Sequence, residues 1–277
     1  MPTYIYQSAI ERDESSVQMI NLLITKREVR EQQERIQTIL DDQDAYRVDG
    51  GDGFLPAHAR SDYCYGGEYL FRGVHSPHLL DGMTDPHMHD GYITQRQREN
   101  AKWTFHYLYD EFGALKYVLS SEETRHSGIE RITCVSNSAI GVLWDMEGNV
   151  RYVAIQDFDE RLRQIRFVHQ SIERGFLNRL FFGQLKLTEY QFEGDQLQAA
   201  LDVHYNKYSN RFSGGVRFGF RYGVNAEVFY TKETMGYFRD SFQPEKKNMH
   251  RGNWSANPAL FQTFFNQHRL LYGIEKG

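Results

Sequence analysis

The sequence predicts an α+β domain with an N-terminal helical extension. Two stretches carry that expectation: a long polar segment with helical spacing near the start, and a strictly alternating strand late in the chain. Between them, runs of both periods follow one another with no visible internal repeat and no convincing linker, which favours one folding unit. The chain has 277 residues, 40% of them hydrophobic and 14% aromatic. That is ample for a packed core and excludes wholesale disorder.

The segment Ile10 to Asp42 carries Ile20, Leu22, Leu23, Ile24, Val29, Ile36 and Leu40 among many Glu, Gln and Arg. Its polar stretch from Arg27 to Gln37 predicts a solvated helix, part of a helical hairpin on the main body. From Tyr46 to Gly91 the chain is rich in Gly, Asp, His and Pro, with one apolar strand at Glu68 to Val74. Loops of that kind on a scaffold are where sites are usually built. Arg96 to Leu119 returns to helical spacing through Trp103, Tyr107, Leu108 and Leu115.

Ile129 to Ser138 and Asn149 to Gln156 read as strands, the second following a turn at Glu147-Gly148-Asn149. Phe158 to Phe182 reads as a long amphipathic helix, with Leu162, Ile165, Val168, Ile172, Phe176 and Leu180 in one stripe. Arg161, Arg163 and Arg166 would then share its solvated face. Leu197 to Tyr208 reads as another helix. Val216 to Val224 is the clearest strand, apolar at every even position. A shorter strand follows at Ala226 to Tyr230, and Pro258 to Tyr272 closes the chain as a helix.

Composition narrows the function classes. The formal charge is -5, from 37 acidic and 32 basic residues. No basic block of five or six is present, which argues against a dedicated nucleic-acid binder. The two cysteines, Cys64 and Cys134, make neither a disulfide framework nor a CxxC knuckle. Apolar runs fall short of the ~20 residues that span a bilayer. The N-terminus lacks a secretory pattern, so a fold that forms in the cytoplasm is expected.

Phosphate loops, dinucleotide fingerprints and the GxSxG elbow are all missing from the sequence. Asp85-Pro86-His87-Met88-His89-Asp90 is the most metal-like stretch. Two imidazoles at i and i+2 on an extended segment point to the same side, so His87 and His89 define an alternative reading as a metal-dependent hydrolase. A third reading is a non-catalytic protein-interaction module, suited to a chain with 18 Tyr and 19 Phe.

Three short matches point elsewhere by their order. Leu70-Phe71-Arg72-Gly73-Val74 places an Arg at the end of an apolar strand. Ile132 to Ser138 is a strand ending in Ser-x-Ser, and Asn225-Ala226-Glu227 opens a later strand. This order resembles the Arg, Ser-Thr-Ser, Glu layout of the mono-ADP-ribosyltransferase toxin and effector family. The resemblance covers about 20 residues of the 277, in motifs that are short taken singly. It departs from the family pattern at Asn137, where Thr is usual, and at Asn225, where many members carry Glu or Gln.

What the resemblance implies is specific. The fold would be α+β with ADP-ribosyltransferase-like split antiparallel sheets, residues 1–45 forming the helical extension and 46–277 the catalytic domain. The activity would be cleavage of NAD, as substrate, with transfer of ADP-ribose to a protein acceptor such as host ubiquitin or a GTPase. The chain would be a bacterial effector or toxin, delivered into a host cell by a dedicated secretion system. Breaking the nicotinamide–ribose bond passes through an oxocarbenium-like state, as in glycoside cleavage.

By resemblance Arg72 would clamp the pyrophosphate with two charge-assisted hydrogen bonds. Gly73 would allow close backbone approach, and Ser136 and Ser138 would hold cofactor and carboxylate. Glu227 would stabilise the developing positive charge. Arg47, in Tyr46-Arg47-Val48-Asp49, is the alternative clamp, and Glu193 the alternative carboxylate.

Overall fold

The computed structural model describes residues 24–48, 56–65, 92–95, 104–120, 128–175, 179–224, 227–238, 241–244 and 253–256. Of the expected helical extension, α1 (Lys26–Asp41) is present. Its N-terminus is closed by a capping box. Thr25 Oγ1 accepts from the Glu28 amide at 3.2 Å, and the Glu28 carboxylate accepts from the Thr25 amide at 2.6 Å. Val29, Ile36, Ile39 and Leu40 are buried along one side. The stretch expected to be solvated is therefore half buried, because a few apolar positions at spacings of three and four suffice to make a docking stripe.

Among the described residues everything else of regular structure, apart from a one-turn 3-10 helix at Gln43–Tyr46, is strand. The first six strands are β1 (Arg60–Tyr65), β2 (Tyr92–Thr94), β3 (Phe105–Tyr109), β4 (Leu115–Ser120), β5 (Gly128–Val135) and β6 (Ser138–Trp144). The long central strands follow: β7 (Val150–Phe158), β8 (Gln164–Arg174), β9 (Leu180–Glu193), β10 (Gln196–Asn206), β11 (Arg211–Tyr222) and β12 (Val228–Phe238). β13 (Ser241–Pro244) and β14 (Asn253–Ala256) both pair with β12. All fourteen belong to one antiparallel sheet, and from β3 to β13 each strand pairs with the next, a meander.

This architecture overturns the expected α+β class with split ADP-ribosyltransferase-like sheets: one sheet holds every described strand, and one α-helix packs on it. Two of the long helices expected from periodicity are strands. Phe158 to Phe182 contains the end of β7, a turn, β8 and the start of β9, while Leu197 to Tyr208 is mostly β10. Arg96 to Leu119 includes β3 and most of β4. The expected strands at 129–138, 149–156 and 216–224 correspond to β5, β7 and β11, and the turn at Glu147-Gly148-Asn149 is present. The expected strand at 68–74, the HxH stretch and the C-terminal helix at 258–272 lie outside the described residues.

Burial on both faces explains the misread periods. On the helix face Ile140, Val142, Val153, Ile155, Val168 and Leu187 pack with α1. On the opposite face Phe105, Tyr107, Ala154, Phe167, Tyr190 and Phe218 form a second core running from β1 to β12. A strand buried on both sides loses its alternation and reads as an apolar run.

Three hairpin turns share one design. Asp110, Asp145 and Asp159 each accept, through one carboxylate oxygen, from the backbone amides two and four residues on, at 2.8–3.0 Å. In each, the amide three residues on donates to the Asp carbonyl. The residue in that position takes positive φ: Gly113 at 81°, Gly148 at 78° and Leu162 at 60°. A basic residue then pairs with the remaining carboxylate oxygen: Lys116 at 3.3 Å, Arg151 at 3.4 Å and Arg163 at 2.5 Å. Such a turn joined to a bulge is a standard hairpin closure. For Asp110 and Asp159, burial acts to raise the carboxyl pKa, but the backbone amides and the neighbouring cation together hold it below the ordinary value.

Gly148 requires its left-handed conformation, so Gly148→Ala is expected to cost about 1 kcal/mol. Asp145→Ala, which strips two amides of their acceptor, is expected to cost about 1–3 kcal/mol. Urea unfolding of the two variants checks both figures, and unchanged midpoints would remove the turns from any role in stability.

Candidate functional site

Of the residues singled out in the sequence, the described ones, Ser136, Ser138 and Glu227, are not brought together. Arg72 and Gly73 lie outside the described residues, as do His87 and His89. Ser136 is an exposed corner of the two-residue β5–β6 turn, with φ of 53°. Glu227 is exposed just before β12, its carbonyl accepting from the Gly223 amide at 2.8 Å. Along the sheet, five strands stand between Ser138 and Glu227. Of the alternatives, the Arg47 carbonyl accepts from the Arg131 guanidinium at 2.9 Å, and Glu193 is the exposed last residue of β9.

Ser138 belongs to a network of its own. It opens β6 opposite Asp157 of β7, and its hydroxyl donates to the Asp157 carboxylate at 2.6 Å. Arg35 of α1 reaches both, donating to Asp157 at 2.8 Å and to Ser138 Oγ at 2.8 Å. The guanidinium fork thus ties the helix to the sheet where the apolar contact ends. Trp144 Nε1 adds a second tie, donating to the Tyr46 carbonyl at 3.0 Å.

That network begins a polar row crossing the helix face. Register pairs Ser138 with Asp157, Asp157 with Arg166, and Arg166 with Glu189. Beyond Leu201 the row resumes as Arg217 opposite Glu233. Arg166 bonds Glu189 at 2.7 Å, and Arg217 bonds Glu233. Arg163 and Arg166, expected on a solvated helix face, are instead paired side chains of a turn and a strand. Opposite charges in directly facing positions stabilise the pairing register. With sign alternating along the row, no charge is left over for a ligand.

The opposite face holds a second polar cluster on β9 and β10. Asp202, 4% exposed, accepts from Thr188 Oγ1 at 3.1 Å, with Lys186 Nζ at 3.5 Å and His204 Nε2 at 3.7 Å. Gln184 lies 3.1 Å from His204 Nδ1. Both imidazole nitrogens are therefore engaged, and the nearby hydroxyl is already donated to the carboxylate. A general base needs a nitrogen aimed at a proton it can take, so this cluster is arranged for cohesion. Among the described residues no group of three or more His, Cys, Asp or Glu could hold a metal ion.

Among the described residues His106 on β3 is the most perturbed imidazole. It is 4% exposed and stacks on Tyr63 with ring centroids 4.1 Å apart. Burial, followed by the charge of His58, lowers its pKa to about 4. Cys134, half buried in β5, has its thiol pushed upward mainly by burial, which makes it a poor nucleophile.

No protein-family model, curated protein or solved structure matches the chain. Among the described residues no helix is long and apolar enough to cross a membrane.

Sequence reasoning found the turn at Glu147-Gly148-Asn149 but missed the aspartate that closes it and its two counterparts, although Asp110-x-x-Gly113 and Asp145-x-x-Gly148 were readable as a recurring pattern. The polar row carries no such signal, since its members are scattered from position 138 to 233 and only the register unites them.

If Ser136 serves the turn, Ser136→Gly relieves a side chain in positive φ and raises stability by about 0.5–1 kcal/mol. A loss of stability in chemical denaturation would mean that the hydroxyl has another task. His106 stays neutral in the folded chain down to about pH 4, whereas the unfolded chain takes the proton near 6.5. Between these values the unfolded state binds more protons, so stability falls with falling pH, by up to about 1.4 kcal/mol per unit. His106→Phe should flatten that part of the stability–pH profile between about pH 6.5 and 4.5; a profile that keeps its slope would contradict the assignment.

Proposed function

We propose that this chain is a non-catalytic protein-interaction module that makes its contacts through the hairpin ends of its sheet. One observation carries the reading. Each large apolar side chain exposed among the described residues sits in a hairpin turn or within two residues of a strand end. Phe112 is 86% exposed, Tyr208 64%, Val135 52% and Phe181 42%, and Met146, Ile165, Leu180 and Val224 complete the set.

A turn needs Gly, Asp or Asn to close; it does not need Phe or Tyr at its tip. Aromatic residues raised on rigid hairpins expose apolar area that a partner can bury, and aromatics with Arg dominate binding energy in interfaces. The polar clusters inside are spent on one another, which suits a scaffold better than a reaction centre.

The NAD-cleaving reading lacks comparable support. It presupposed split sheets, and its serines serve a turn and the helix tie. Titration with millimolar NAD tests this directly. A ligand of the native state at ~100 times its dissociation constant adds about 2.7 kcal/mol, so the melting temperature is expected to stay unchanged.

The companion experiment compares the proteins retained from the source cell's extract by wild type and by Phe181→Ser/Tyr208→Ser. A discrete partner held by wild type and lost by the variant is expected. A clear NAD-dependent stabilisation, or the same proteins retained by both baits, would overturn the reading.

A further inference from the structure

The two ends of the sheet differ in charge. Because the sheet is a meander, successive turns alternate between its ends. One end carries the turns that join β3 to β4, β5 to β6, β7 to β8, β9 to β10 and β11 to β12. Among the described residues its exposed carboxylates are Glu111, Glu160, Glu193, Asp195 and Glu227, against the exposed cations Arg60, Arg161 and Arg221, of which Arg60 is held by Asp62 at 3.4 Å. Arg161 is shared with Asp195 at 3.9 Å, so acidic groups remain in excess.

At the other end lie the turns joining β6 to β7, β8 to β9 and β10 to β11. Arg151, Arg174, Arg179, Lys207 and Arg211 are exposed there. Against them stand Glu147 and Glu173, the latter accepting from the Tyr208 hydroxyl at 2.7 Å, and Asp145, which holds Arg151. Among the described residues this end is basic.

Both ends are also apolar in the same manner. Met146, Phe181 and Tyr208 come from or beside three successive turns of the basic end. Phe112, Val135 and Val224 occupy turns or strand ends of the acidic one. Turns two strands apart are spaced by about 10 Å, so each end is a comb of tips with one period. The two combs match in spacing and oppose in charge.

The geometry points to a second copy of this chain as the partner: the basic end of one molecule docks on the acidic end of the next, head to tail. This rests on the interaction-module reading and names the occupant of the hairpin ends. Such a contact is heterologous, so it does not close on itself unless the rotation between copies makes a ring, and oligomers grow with concentration. Its charged part weakens with salt, because exposed pairs are screened within about 10 Å at 0.1 M salt. An acidic segment of another protein is the competing occupant of the basic end, and the test separates the two.

Sedimentation velocity of the full chain, across a hundredfold range of concentration at low and high salt, gives the first readout. Growth of the sedimentation coefficient with concentration at low salt, reduced at high salt, is expected. Arg174→Glu/Arg179→Glu reverses charge at the basic end, and Glu193→Lys/Asp195→Lys at the acidic end. Each double variant alone should remain monomeric with an unchanged melting temperature, and a mixture of the two should associate again.

A wild type that stays monomeric throughout, or association that ignores both reversals, would overturn the head-to-tail contact. Should wild type remain monomeric while its basic end still retains a different protein, self-assembly fails and the interaction-module reading stands. Loss of both sinks the two together.

Discussion

The register between β6, β7 and β8 is the constraint on which the rest depends. In an antiparallel sheet a slip of one residue moves every side chain to the other face. Here that would turn Ile140, Val153 and Val168 away from α1 and separate Ser138 from Asp157 and Asp157 from Arg166. Apolar contact alone would not forbid the slip, because both faces of these strands are apolar. What fixes it is the pair of aspartate turns at Asp145 and Asp159, which close the two hairpins at a set length. The polar row then makes the alternative register costly, since carboxylates and guanidinium groups would lose their partners in partly buried positions.

The helix depends on that register in turn. A single amphipathic helix buries only a narrow stripe, and α1 shares its core with residues of β6 to β11 rather than with the whole sheet. Its orientation is set by Arg35, whose fork needs Ser138 and Asp157 side by side on adjacent strands. The tie is about 100 residues apart in sequence and so forms late in any local folding scheme, after the hairpins that build its receptor. The meander, by contrast, pairs neighbours in sequence and can be assembled hairpin by hairpin.

The strands most readable in the sequence were those with one consistent face. Val216 to Val224 alternates because its odd positions include Arg217 and two glycines, leaving Val216, Phe218 and Phe220 to define the core side. The β8 region misled because Leu162, Ile165, Val168 and Ile172 fall at helical spacing, yet they come from a turn, an exposed strand start and two buried positions. The turn residue Asp159 and the strand-like run Ile165 to Val168 carried the contrary signal. Ser136 and Ser138 were legible as a strand end, which they flank; a strand end and a cofactor clamp use the same residue types. Nothing in a single chain marks Arg35 as their partner, because that contact is made only by tertiary docking.

A sheet stabilised in this way leaves little of its interior for other work. Charges on the helix face are paired along the row, and Asp202 on the other face gathers Thr188, Lys186 and His204 about itself. Both arrangements gain from being complete, since a partly satisfied polar network costs more than an apolar one. The hairpin tips are under no such demand. The aspartate turns need only the aspartate and a residue tolerant of positive φ, and the β10–β11 turn uses Asn206, which accepts from the Ser209 amide, with Asn210 at φ 51°, so the positions between can vary without touching the core. In this chain those positions include Phe112, Met146 and Tyr208, side chains that gain nothing from water. The proposed interaction through the ends fits the same division: the register engages the charged groups of the polar row, and the exposed apolar side chains are carried where the strands turn.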